Sequence, residues 1–164
     1  MRQVTMFFDY ECPFCKRGYA YFKDALKDYD DVEVIYRPIE AHPRPENHPP
    51  HTDLSCQTFY IVKELGGDIL ALHELMYQAV ATERQNVEDP EVLADIVKGL
   101  VDRKAFLEIL NSDKYRATID KNNDDAYEHL GVWAVPAFRE GDKKLDAKEG
   151  IGVSEAQVRE FLKA

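Results

Sequence analysis

The chain has 164 residues, a length that one domain with a sizeable hydrophobic core can fill. Apolar residues make up 45% of it, which excludes an intrinsically disordered chain. The formal net charge of −10 argues against nucleic acid and anionic membrane surfaces as partners, because both repel a strongly acidic protein. We also expect no membrane-spanning segment, since no stretch approaches the roughly 18 apolar residues that one requires.

The first residues and the cysteine count bear on the cellular compartment. Met1-Arg2-Gln3 leads directly into a strand-like run, without the apolar segment and cleavage site of a signal peptide. Three cysteines are too few for a disulfide scaffold, and in a reducing compartment a close pair is more often catalytic or metal-binding than structural. We therefore expect a cytoplasmic protein, with the mature form of an exported protein as the alternative.

The first forty residues predict a β-α-β unit. Residues 4–8 are apolar on both faces, as in a central strand. From Cys12 onward apolar residues recur every three or four positions, and Pro13 suits the first turn of a helix. Residues 32–37 alternate as a second strand and stop at Pro38. A crossover of this kind makes the two strands parallel.

Helices dominate the middle of the chain. Residues 41–52 contain four prolines and are predicted to form an extended loop. From residue 53 to residue 112 the apolar period is helical and indicates about four helices, with Asp89 and Asp102 as capping residues.

The last fifty residues return to mixed structure. Residues 113–130 predict an amphipathic helix that ends at Gly131. Strands follow at residues 135–138 and 144–146, joined by a turn at Gly141 and Asp142. Ser154 and Gln157 are spaced as a capping box for a last helix. The predicted order is β-α-β, a helical block, then α-β-β-α.

The sequence Cys12-Pro13-Phe14-Cys15 lies where the first predicted helix begins. Free N–H groups and the positive end of the helix dipole stabilise the thiolate of the first cysteine, the form that attacks a disulfide. The second cysteine, one turn further on, can attack the resulting mixed disulfide and release the substrate. Cys12 is therefore the predicted nucleophile and Cys15 the resolving thiol of a redox-active disulfide.

Zinc binding is the main alternative for a close cysteine pair. A closed zinc site needs four ligands, and the third cysteine, Cys56, has no partner nearby in the sequence. His42, His48 and His51 are irregularly spaced in the proline-rich loop, and we expect them to be solvent-exposed. We therefore predict neither a metal nor another cofactor, and interpret Cys56 as a small buried hydrophobic residue.

Val135-Pro136 stands at the start of a later strand, and together with the cysteine pair and the element order it resembles the thioredoxin superfamily. Within it the chain is similar to the DsbA-like branch, in which a helical domain interrupts the fold. The resemblance implies an α/β thioredoxin-like domain at residues 1–40 and 113–164, an inserted all-helical domain at 53–112 and a linker loop at 41–52. It also implies a cis bond before Pro136, facing the cysteines.

Such a bond would present the backbone of Val135 as a short edge for an extended substrate, which gives Val135 and Pro136 a substrate-binding role. A proline that merely starts a strand is the alternative. We also expect Pro13 and Phe14 to contact substrate, with Phe14 exposed between the two cysteines toward apolar segments.

Residues 8–15 resemble the cytosolic FrnE-like subgroup, because Asp9 lies three residues before the first cysteine. Asp9 is either a proton relay for the pair or a structural residue, and we favour the structural role. Phe14 stands where strongly oxidising exported relatives have histidine, and Glu11 adds negative charge, whereas Lys16 and Arg17 act in the opposite sense. We expect a redox potential between those of the exported enzymes and of a Gly-Pro thioredoxin pair.

The resemblance thus implies a thiol-disulfide oxidoreductase that acts on protein or peptide disulfides through a Cys12 mixed disulfide. Glutathione is a further candidate partner. Two alternatives stay open: a glutathione-dependent isomerase or transferase of the same fold, in which relatives have serine or another residue at the pair, and a redox-inert binding or chaperone module. The sequence predicts no particular oligomeric state.

Overall fold

The computed structural model describes residues 1–164. Four strands form one sheet in the order β2-β1-β3-β4, with bounds β1 (Arg2–Phe8), β2 (Val32–Pro38), β3 (Ala137–Glu140) and β4 (Lys143–Asp146). β1 runs parallel to β2 and antiparallel to β3, which pairs antiparallel with β4. The predicted parallel crossover and the later hairpin are therefore confirmed.

Seven α-helices surround the sheet: α1 (Pro13–Ala25), α2 (Asp53–Glu64), α3 (Ile69–Met76), α4 (Pro90–Val97), α5 (Arg103–Asn111), α6 (Arg116–Asp124) and α7 (Glu155–Leu162). A short 3₁₀ turn, Leu26–Asp28, follows α1. α3 and α6 continue into π-helical turns at Tyr77–Thr82 and Asp125–His129. None of the helices has both the length and the apolar character needed to cross a bilayer. The four helices predicted between residues 53 and 112 are α2 to α5.

Local sequence signals set most helix ends. The Asp102 side chain accepts a hydrogen bond from the Ala105 N–H at 2.9 Å at the start of α5. Ser154 and Gln157 form the predicted capping box of α7, with bonds of 3.1 and 2.9 Å. Gly131 has a φ of 62°, which its missing Cβ permits after the end of the α6 segment.

The helix predicted to begin at Asp113 begins three residues later, at Arg116. Asp113 has a left-handed backbone with a φ of 59°, which a helix interior does not contain. Its carboxylate accepts a hydrogen bond from Gln57 Nε2 at 3.0 Å, so α2 holds Asp113 in this turn. A contact that is distant in sequence therefore moves the start of α6.

One continuous cluster of 36 buried residues forms the core and includes side chains of the sheet, of α1 and of the helical segment. Phe7 and Phe8, which point to opposite faces of β1, are both fully buried, as predicted for a central strand. The Phe8 ring packs against Phe59 and Tyr77, with ring centres 6.0 and 6.4 Å apart, so aromatic contacts join the helical segment to the sheet. The domain division at residues 53–112 stays a prediction.

Candidate active site at the start of helix α1

Cys12 caps the helix that follows β1. Its backbone is extended, with φ −85° and ψ 116°, and its Sγ accepts a hydrogen bond from the Cys15 N–H at 3.4 Å. Pro13 occupies the first helical position, where a missing N–H costs no hydrogen bond. The Cys12 sulfur therefore lies at the positive end of the α1 dipole.

The two thiols have opposite surroundings. Cys12 is 9% exposed and Cys15 is fully buried, and both are free thiols. A hydrogen bond from the Cys15 side chain lowers the pKa of Cys12, outweighing burial, and the N–H groups of Cys15 and Phe14 lower it further. Burial, and then the same bond to Cys12, raises the pKa of Cys15 well above its ordinary value. The geometry favours a thiolate at Cys12 and a protonated thiol at Cys15.

The Val135–Pro136 peptide bond is cis and lies against the cysteine pair. The Cys12 Sγ is 3.8 Å from the Val135 carbonyl oxygen. Gly18 of α1 lets Pro136 pack directly against the helix, because a Cβ at that position would come within 2.8 Å of the Pro136 Cγ. No group of the chain accepts a hydrogen bond from the Val135 N–H, so this donor is free to pair with a bound strand.

Cys12 opens into a groove of about 290 Å³. Four parts of the chain form its walls: the helix start with Phe14, the beginning of the proline-rich loop with Ala41 and His42, the loop Trp133–Val135, and the turn Lys148–Gly150. Tyr127, from the π-helical turn after α6, closes one side. The predicted site residues Cys12, Phe14 and Val135 therefore share one cleft.

Phe14 is half-buried, so its predicted exposure is wrong. The Arg17 guanidinium lies 5.3 Å from the centre of its ring, and Arg17 donates to the Ile151 carbonyl at 2.5 Å. The turn after β4 thus packs on Phe14: a Cβ at Gly152 would lie 3.0 Å from the Phe14 Cβ. Only part of the Phe14 ring is open to the groove.

The proline-rich loop folds back onto the site, which corrects the expectation of three exposed histidines. His48 is exposed, but His42 and His51 are half-buried, and His42 lines the groove. The His42 and His48 rings stack with centres 3.6 Å apart. Asp9 causes the fold-back, because hydrogen bonds to its carboxylate anchor both ends of the loop.

Asp9 is a buried carboxylate, 1% exposed, that accepts hydrogen bonds from the Ala41 N–H at 2.9 Å, the Thr52 hydroxyl at 2.7 Å and the Glu11 N–H at 3.2 Å. Burial raises its pKa to about 6 despite these bonds. These contacts support the structural role favoured for Asp9, and its choice over a proton relay stays a prediction. Its charge also raises the pKa of Cys12.

Asp9 is the charged residue with the largest effect on the pKa of Cys12, and the predicted effects of Glu11, Lys16 and Arg17 stay predictions. Glu11 pairs with Arg84, at 3.2 Å. Lys16 donates to Thr82 Oγ1 at 2.5 Å, and Arg17 covers Phe14. These side chains connect α1 to neighbouring segments. Cys56, 1% exposed, is the buried residue that was predicted, and burial raises its pKa.

Comparison with known proteins decides the family. A family model described as Thioredoxin matches residues 1–163. The chain belongs to this thioredoxin family. The uncharacterized protein YwbO of Bacillus subtilis (strain 168) is 27% identical, in an alignment that covers 98% of this chain and 97% of YwbO.

Solved structures of DsbA proteins share this fold. A probable DsbA oxidoreductase from Streptomyces coelicolor superposes with a TM-score of 0.82 at 19% identity, over 99% of this chain and 88% of that one. Pseudomonas aeruginosa DsbA gives a TM-score of 0.74 at 21% identity, over 97% and 79% of the two chains. The predicted DsbA-like thioredoxin fold is confirmed, and membership of the FrnE-like subgroup stays a prediction.

Proposed function

We propose that this protein is a thiol-disulfide oxidoreductase that acts on protein or peptide disulfides. One observation carries the proposal: the start of α1 holds two adjacent thiols of opposite character. Cys12 has a lowered pKa and reaches the groove, whereas Cys15 is buried with a raised pKa. This asymmetry supports Cys12 as the attacking thiol and Cys15 as the resolving thiol.

In the reducing direction the Cys12 thiolate attacks one sulfur of the substrate disulfide. A Cys12–substrate disulfide forms, and the other substrate sulfur leaves as a thiolate. Cys15 then loses its proton and attacks the Cys12 sulfur, which forms the Cys12–Cys15 disulfide and releases the second substrate thiolate. Two electrons pass from the protein to the substrate. Oxidation of a substrate dithiol follows the same steps in reverse.

The cis-proline segment supports substrate binding beside the reacting sulfur. The unpaired Val135 N–H gives an extended chain a backbone group to pair with, and the carbonyl oxygen of the same residue lies 3.8 Å from the Cys12 Sγ. Pro136, packed on Gly18, fixes the position of that edge. We assign Val135 and Pro136 to substrate binding, with Phe14 as a partial contact and Pro13 as the residue that shapes the helix start.

The intact second cysteine disfavours the transferase alternative, whose relatives lack such a pair. A redox-inert binding module would not need a lowered pKa at one thiol and a raised pKa at the other. Glutathione as a partner and a cytoplasmic location stay predictions.

Insulin reduction by dithiothreitol tests the proposal. The wild-type protein should accelerate it, and Cys12→Ser should abolish the acceleration. Cys15→Ser should remove most of it, because only dithiothreitol can then resolve the mixed disulfide on Cys12. Cys56→Ala, at a buried cysteine outside the site, is the matched control and should retain turnover. Equal activity of wild type, Cys12→Ser and Cys15→Ser would refute the proposal.

A further inference from the structure

Trp133 is the only tryptophan of the chain, and its side chain is 77% exposed on the wall of the Cys12 groove. Val132, directly before it, and Val135, two residues after it, are 6% and 7% exposed, so the loop buries apolar side chains on both sides and turns this one ring outward. An indole carries roughly 150–250 Å² of surface, and its exposure beside a reactive group is typical of a contact residue.

The backbone that carries this ring is held in place. The Trp133 N–H donates to Asp146 Oδ2 at 3.1 Å, and Asp146 Oδ1 accepts from Arg139 Nη1 at 2.5 Å. Arg139, only 6% exposed, also donates to the Leu130 carbonyl at 3.0 Å. The loop is therefore attached to the sheet on both sides of Val132. A ring whose backbone is already ordered loses less entropy when it binds a partner.

The charges beside the groove do not favour one sign of substrate. Lys148 and Glu149 are adjacent on the same turn, so their charges largely cancel. Apolar contact with Trp133 is therefore the feature of the groove best able to discriminate between substrates.

We propose that Trp133 determines substrate specificity by packing on an aromatic or bulky aliphatic side chain within about two residues of the reacting cysteine. Trp133 and Val135 line the same groove two residues apart, so a substrate side chain within about two residues of the position paired at Val135 comes within reach of the indole. The substrate class is then extended polypeptide with an apolar residue near its cysteine. Glutathione, which has no such side chain, would be a poor substrate. This inference rests on the proposed function.

Two matched disulfide-linked peptides test the inference, one with Phe and one with Ser two positions from the cysteine. The wild-type protein should reduce the Phe peptide with a kcat/KM about tenfold higher than the Ser peptide. The preference should fall below about twofold in Trp133→Ala and remain in Trp133→Phe. Leu70→Ala removes another exposed apolar side chain, 48% exposed and outside the groove, and should keep the preference.

Binding without chemistry gives a second readout. In a Cys12→Ser/Cys15→Ser protein, Trp133 emission should shift on addition of the Phe peptide at lower concentrations than with the Ser peptide. If wild type turns over both peptides but Trp133→Ala has the same preference, or wild type has none, the inference is overturned and the proposed function stands. If wild type turns over neither peptide, the proposed function fails and the inference fails with it.

Discussion

Replacing Asp9 by asparagine should change the stability of the protein more favourably at pH 8 than at pH 4. The Asp9 carboxylate is 1% exposed, and burial raises its pKa from 3.8 to about 6. The native protein therefore keeps this proton to a higher pH than the unfolded chain does. Folding stability falls as the pH rises from about 4 to about 6, and the loss is complete above that range. The difference in pKa corresponds to about 3 kcal/mol.

Asparagine has no charge to desolvate and keeps one side-chain oxygen for the donors Ala41 and Thr52. Any change in these hydrogen bonds is the same at every pH, so comparison of two pH values removes it. Because the unfolded Asp9 is already about half ionised at pH 4, the gain in unfolding free energy from Asp9→Asn should be about 2.5 kcal/mol larger at pH 8 than at pH 4. For a chain of this length the corresponding difference in Tm is roughly 5–10 °C.

Urea denaturation of both proteins at pH 4 and pH 8 measures this difference directly. Asp142→Asn removes the same charge from an exposed turn residue and controls for the change in net charge. A gain that is equal at the two pH values, or larger at pH 4, would refute the reasoning that the buried Asp9 charge destabilises the fold.

Three further predictions concern the elements around the site. Gly18→Ala should lower the free energy of unfolding by about 1–3 kcal/mol through its clash with Pro136, less about 1 kcal/mol gained in helix propensity, and it should slow insulin reduction. Gly99→Ala, at a position in open space, should not slow insulin reduction. Asp146→Ala should lower the free energy of unfolding by about 2 kcal/mol, measured by thermal unfolding, because it leaves the buried Arg139 guanidinium without its carboxylate. It should also lower the fluorescence anisotropy of Trp133, whose N–H donates to Asp146. Unchanged values would contradict the role of Asp146 in holding the Trp133 loop. Equilibration with glutathione buffers should give a redox potential between about −120 and −270 mV, and a value at or below the lower limit would contradict the expectation from the sequence.

Local features of the site could be predicted from the sequence. The helix start at Pro13, the capping position of Cys12 and the separate environments of the two thiols depend on residues within one helical turn of each other. Gly131 and the capping box of Ser154 were predictable for the same reason, since backbone conformation and hydrogen bonding there are decided by a few adjacent residues.

Contacts between distant segments could not be predicted. Phe14 is half-buried because Gly152, 138 positions later, packs on it. The bond that holds Trp133 to Asp146 depends on the register of β3 with β4. Asp9 holds the proline-rich loop against the site through a hydrogen bond from Thr52, 43 residues away. Periodicity and residue type contain no information about which of many distant groups will meet.

Capture of the reaction intermediate is the most direct test of the central claim that Cys12 attacks and Cys15 resolves. Reduced Cys15→Ser protein is mixed with a disulfide-linked peptide, and mass spectrometry locates the attached peptide. The account predicts a stable adduct on Cys12, none on Cys56, and release of the peptide when Cys15 is present. An adduct on Cys56, no adduct at all, or faster adduct formation at Cys15 in the Cys12→Ser protein would contradict it.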